Sequence, residues 1–87
     1  MVRENDFIAI FHSIHRVMKA EKILKGASVP IQLIPAPRQI SSDCGLALRY
    51  APEEAERVKD LLVAQGLPPV EVYQYEGGKF VPQEIFP

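Results

Sequence analysis

Cys44 is the one cysteine in the 87 residues, and it lies in the stretch Ile40-Ser41-Ser42-Asp43-Cys44-Gly45. A cysteine that serves packing behaves as a small hydrophobe and belongs in an apolar run. Here the neighbours are small and polar, and Gly45 leaves room for close approach. The pattern raises a reactive-thiol reading beside that of an incidental cysteine. The reacting species would be the thiolate, whose population depends on nearby charge. Arg38 in the same segment favours it and Asp43 opposes it. Ser41 and Ser42 read most simply as turn or capping residues.

Two further groups invite chemistry. His12 and His15 suggest a metal site or a Cys–His pair, but a metal needs three or four ligands. Their position suits capping or surface histidines at a helix start. Arg49 could join Ser13 and the N-terminus of the first helix in a small anion pocket; the plainer reading is a snorkelling arginine. No glycine-rich phosphate loop and no Ser/His/Asp motif is present. Tyr73, Tyr75 and Phe80 form an aromatic group near the C-terminus. Stacking on RNA would need an RNA-recognition consensus and a basic face; core or dimer contact is the simpler role.

Composition limits the setting for this chemistry. The length suits one domain, and a lone cysteine excludes a disulfide scaffold. No apolar run approaches the ~20 residues that span a bilayer, and Met1 to Asp6 does not look like a signal peptide. The expectation is a cytoplasmic protein with no membrane partner. Net charge is −1 with the basic residues spread along the chain, so nucleic acid is not expected as a partner. Lys19, Lys22 and Lys25 share a short strip, interrupted by Glu21, that reads as a solvated helix face. No cofactor motif appears.

The elements that must position these residues follow from periodicity. Phe7 to Phe11 is apolar at every position and reads as a strand buried on both faces. Ser13 is a good N-cap. Ile14, Val17, Ala20, Leu24 and Ala27 then make one helical stripe, with Gly26 as its stop. Pro30 and Pro35 bracket a second strand, Ile31 to Ile34, suited to a sheet edge. The stiff segment Pro35 to Asp43 follows, the longest irregular stretch. Gly45 to Tyr50 alternates as a third strand. Pro52 opens a second helix with Glu53, Glu54 and Glu56 near its positive end, and Gly66 closes it. Val70 to Tyr75 is the fourth strand. Gly77 and Gly78 mark a turn into a short apolar tail.

The order βαββαβ predicts an α+β domain over residues 1–76. Its type is the ferredoxin-like split βαβ, a four-stranded antiparallel sheet with two helices on one face. Strands one and three are expected side by side and parallel at its centre. The tail, residues 77–87, would pack on the open sheet face or on a partner, and a homodimer through that face is the competing way to cover it. In this arrangement Cys44 lies near the C-terminal end of the first helix and ~20 Å from the histidines. That end disfavours a thiolate, which suits a carrier or exchange thiol better than a protease-like nucleophile.

Three stretches carry a resemblance: Phe11-His12-Ser13, Ala20 to Lys25, and above all Ile34-Pro35-Ala36-Pro37-Arg38-Gln39-Ile40 continuing through Cys44-Gly45-Leu46-Ala47 to Arg49. The chain resembles a family of short bacterial proteins, the selenium/sulfur carrier-like proteins, over roughly Phe7 to Tyr75. The resemblance implies a thiol that accepts sulfur or selenium as a persulfide or selenopersulfide and hands it to a partner. Cys44 is the matching position. Arg38, Ser41, Ser42 and Gly45 match the surrounding pattern, and Arg49 follows it. The implied partners are a donor such as a cysteine desulfurase and an acceptor protein, and no turnover enzyme is implied. Two other readings stand beside it. One is a non-catalytic regulatory or interaction domain that dimerises through the open sheet face, with an incidental Cys44. The other is a thiol sensor bridged through Cys44 between subunits.

Overall fold

A computed structural model of the protein describes residues 2–40, 45–84 and 86. Strand β1 (Phe7–Ile10) leads into helix α1 (Ile14–Gly26), strand β2 (Gln32–Pro35) and strand β3 (Leu46–Tyr50). A 3-10 turn (Pro52–Glu54) enters helix α2 (Ala55–Ala64), followed by β4 (Glu71–Glu76) and β5 (Lys79–Gln83). The fold is α+β, with five strands in the order β2-β3-β1-β4-β5 and every neighbouring pair antiparallel. No helix among the described residues is long and apolar enough to cross a membrane.

Each helix forms for a local reason. Ser13 caps α1, its side-chain oxygen accepting from the Arg16 N–H, and Val17, Ala20 and Leu24 make the buried stripe. Gly26 is the last helical residue. The helix ends at the glycine expected to stop it, and the left-handed position lies two residues on, at Ser28, with φ of 62°. Arg57 donates to the Ala27 carbonyl and so supplies a partner for one carbonyl at the helix C-terminus. In α2, Val58 and Leu62 are buried, and Gly66 closes the helix at φ of 66°, where a side chain would be strained.

Two corrections concern the sheet. First, the expected four strands are five, because the tail turns at Gly77 and Gly78 and pairs with β4 from Glu76↔Lys79 to Val72↔Gln83. It lengthens the sheet instead of folding over it. Second, β1 and β3 are neighbours as expected but antiparallel, with Phe7 opposite Tyr50 and Ile10 opposite Ala47. The physical reason lies in the crossover. The β1-α1-β2 connection makes β1 and β2 parallel, and β3 inserts between them, so it runs against both.

The core is divided by the sheet. On the helix side Phe7, Ala9 and Phe11 pack with Val17, Leu24, Leu48, Tyr50, Val58 and Leu62. Phe7 stacks on Tyr50, centroids 5.7 Å apart. On the other side Ile8, Ile10 and Ala47 form a second buried cluster, each 0% exposed. Val2, Ile34, Ala36, Ile40, Tyr73 and Phe80 pack against it. The two-faced burial read from Phe7 to Phe11 is therefore met. The described chain covers its own second face, using the segment after β2 and the aromatic residues of β4 and β5 instead of a folded-back tail.

Candidate functional site

The register of β1 with β3 decides where the chemistry can sit. The last pair is Ile10 with Ala47. Continued two residues further, its line runs to His12 and Gly45. The chain therefore enters β3 at the end of the sheet where β1 hands over to α1. The opposite end, near the C-terminus of α1, was expected on the premise of parallel strands. With that premise gone, the ~20 Å separation of the thiol segment from His12 and His15 no longer follows. β4 also begins at this end, where the Val70 N–H donates to the Ile10 carbonyl at 2.8 Å.

The segment between β2 and β3 is held by its described ends. The Ala36 N–H donates to the Gly45 carbonyl at 3.1 Å, which carries the β2–β3 ladder one step beyond the strands. The Ile40 N–H donates to the Pro37 carbonyl at 3.1 Å, closing a tight turn. Within that turn Arg38 and Gln39 are exposed while Ile40 is half-buried. Ile40 and Ala36 rest on Ile8, Ile10 and Ala47. Ile40 was missed as an anchor; its signal was a lone branched apolar residue in a polar, proline-rich stretch. Gly45 is exposed, and an added Cβ there would meet nothing within 4 Å. Cys44, Ser41 and Ser42 lie outside the described residues.

The same end of the sheet is the positive end of α1. The first turn of the helix contains no acidic residue. His12, His15 and Arg16 are exposed beside it. The helix N-terminus and the Arg16 charge therefore add in sign and favour an anion. Among the described residues no group of His, Cys, Asp and Glu could hold a metal ion.

Arg49 is elsewhere. Its strand neighbours Leu48 and Tyr50 belong to the helix-side core, so strand alternation turns Arg49 to the other face. Its Nη1 donates to Asp6 Oδ2 at 2.6 Å and its Nε to Gln32 Oε1 at 2.9 Å. The pocket expected from Ser13 with Arg49 does not form: one caps α1, and the other is bound beside the opposite end of β1. Asp6, which the sequence reading passed over, is buried and also accepts from the Arg3 N–H at 2.8 Å. Its signal was a carboxylate placed directly before a fully apolar strand, where it needs a partner. Two phenols are perturbed. Burial pushes Tyr50 far above its ordinary range. Tyr73 is raised by desolvation and then by its hydrogen bond to Glu71. Tyr75 and Phe80 contact each other at 5.1 Å.

No curated protein and no solved structure matches the chain. A family model described as "Putative Se/S carrier protein-like" matches residues 6–74. That span contains β1 through most of β4, the whole segment from β2 to β3, and Cys44 in sequence. It stops short of β5, so the added strand belongs to the part of the chain outside the match. The chain belongs to the Se/S carrier protein-like family.

Proposed function

We propose that the protein carries sulfur or selenium on Cys44. The observation that supports this most is the family match across residues 6–74, with the only cysteine of the chain inside it. The fold adds a physical argument. The peptide bond keeps Cys44 Cα within ~3.8 Å of Gly45 Cα, and Gly45 follows the β1–β3 register to the positive end of α1. A thiolate or persulfide anion is favoured in such a field.

In the proposed step the Cys44 thiolate attacks the terminal sulfur of a persulfide on a donor protein. The new S–S bond forms at Cys44 as the donor's S–S bond breaks, and the donor leaves as its own thiolate. No net electrons are exchanged. Selenium would transfer in the same way. Arg38 and the backbone N–H groups next to Gly45 are the groups proposed to steady the negative charge. An acceptor nucleophile then removes the atom and returns the Cys44 thiolate. The proposal treats the protein as a carrier, not as a turnover enzyme. It also takes β1 to β4 with the two helices as a ferredoxin-like unit with one strand appended.

The competing reading, an interaction domain joined through an open sheet face, loses its motive in the described chain. Ile8 and Ile10 are already fully covered.

The test is the mass of the protein after incubation with a cysteine desulfurase and cysteine, beside Cys44→Ser. The proposal expects added sulfur on the wild type alone, with the variant folding normally. Sulfur retained by Cys44→Ser, or a readily alkylated wild-type thiol that takes up neither sulfur nor selenium, would overturn it.

A further inference from the structure

The turn that precedes β1 is tied down at several points. The Arg3 N–H donates to the Asp6 carboxylate at 2.8 Å, and the Asp6 N–H donates back to the Arg3 carbonyl at 3.0 Å. The Asn5 N–H donates to the Tyr75 carbonyl at 2.7 Å, and Glu4 accepts from the Gly77 N–H at 2.9 Å. Segments this close to a terminus are usually loose unless such contacts hold them. The pinned turn sets Arg3 on the wall of a cleft of about 270 Å³, which Arg49, Asp6, Pro30, Ile31 and Ala51 also line.

Hydrogen-bond donors gather in this cleft, and the acceptors are used up. The structural bonds of Arg3 run through its backbone. Among the described residues its guanidinium makes no hydrogen bond or ion pair. Arg49 spends Nη1 on Asp6 and Nε on Gln32, which leaves Nη2 without an acceptor. The N–H groups of β3 face β2 at every second residue. The bond between Ala36 and Gly45 fixes their phase, so the Ala51 N–H faces the β2 side. It too has no partner among the described residues. Asp6 Oδ2 already accepts twice. The charged residues of the cleft are Arg3, Arg49 and Asp6, which leaves one positive charge in excess. Pro30, Ile31 and Ala51 give it an apolar side.

We propose that this cleft binds a small organic carboxylate. A carboxylate is an acceptor-only group. It supplies the oxygens that the Arg3 guanidinium, Arg49 Nη2 and the Ala51 N–H lack, and its bonds to the arginines are charge-assisted. Its single negative charge matches the single positive charge in excess, which a phosphate dianion would overshoot. A short apolar chain on the carboxylate fits the side made by Pro30 and Ile31. The cleft lies where β3 ends at Tyr50, away from Gly45, and the inference does not rest on the carrier reading.

The experiment titrates the full-length, nitrogen-15-labelled protein with sodium butyrate at constant ionic strength, followed by NMR of the amide and arginine Nε–H groups. Butyramide and inorganic phosphate are titrated beside it, and Arg3→Gln and Lys19→Gln are compared with the wild type. Butyrate should shift the Arg49 Nε–H and the Ile31 and Ala51 amides saturably, with the Ala51 proton moving downfield as it gains an acceptor. Butyramide should leave them in place. Arg3→Gln should weaken butyrate binding about tenfold. It should fold normally, because the backbone bonds between residue 3 and Asp6 remain. Lys19→Gln removes an equal charge from the exposed side of α1 and should bind as the wild type does. No saturable shift in the wild type, equal shifts with butyramide, or undiminished binding by Arg3→Gln would overturn the proposal. Tighter binding of phosphate than of butyrate would assign the cleft to phosphoryl groups and overturn it as well.

Discussion

Ile10 lies directly opposite Ala47 in the antiparallel pair of β1 and β3. Each is fully buried in the cluster beneath the segment that joins β2 to β3. This one pairing sets which end of the sheet Gly45 meets, the end where α1 begins. Had the strands been parallel, Gly45 would have lain at the opposite end, where α1 finishes.

The first prediction concerns the thiol that the carrier proposal needs. Arg38 is exposed, and the proposal gives it the anionic adduct to steady. Arg38→Ala is expected to slow sulfur uptake by Cys44 several-fold while leaving the unfolding midpoint unchanged. Uptake at the wild-type rate in that variant would remove Arg38 from the proposed site.

A second prediction separates the part-buried ion pair of Asp6 and Arg49 from the site. Removing the Asp6 carboxylate leaves the Arg3 N–H and Arg49 Nη1 without their acceptor. Asp6→Ala should cost about 2–3 kcal/mol in urea unfolding, with sulfur loading at 25 °C unchanged. Loss of loading in a protein that is still folded would bring Arg49 back to the site.

The covered second face of the sheet makes a third. Ile10→Ala should cost about 3 kcal/mol by removing a side chain with no solvent exposure from a packed cluster. The wild-type unfolding midpoint should not depend on protein concentration. A midpoint that rises with concentration would show that a second copy helps to cover this face.

Tyr50 supplies a pH dependence. Burial raises its folded pKa above the unfolded value. Its contribution is therefore complete below about pH 10, the unfolded pKa. It is lost as pH rises further, because the unfolded chain releases the proton first. Thermal midpoints should fall above about pH 10, and Tyr50→Phe should flatten that fall. An equal alkaline slope in the variant would assign the loss to other groups.

Much of this protein could be read before any coordinates. Ser13 as cap, the stripe of Val17, Ala20 and Leu24, the burial of Phe7 to Phe11 on both faces and the stop at Gly66 are all local in the chain. Each follows from side-chain spacing or from one residue's backbone preference. Cys44 stood out in the same way, by its polar neighbours. The path of the tail was not legible, because Lys79 to Gln83 becomes a strand only by pairing with β4, and Pro82 within it weakens the local signal. The partner of Arg49 was not legible either: Asp6 is distant in sequence, and only the β1–β3 register brings the two together. The direction of β3 relative to β1 mattered most. Spacing along one strand reports which faces are buried but carries no information about which way its neighbour runs. That direction comes from the crossover and the inserted strand, and it brings Gly45, where the chain enters β3, to the end of the sheet where α1 begins.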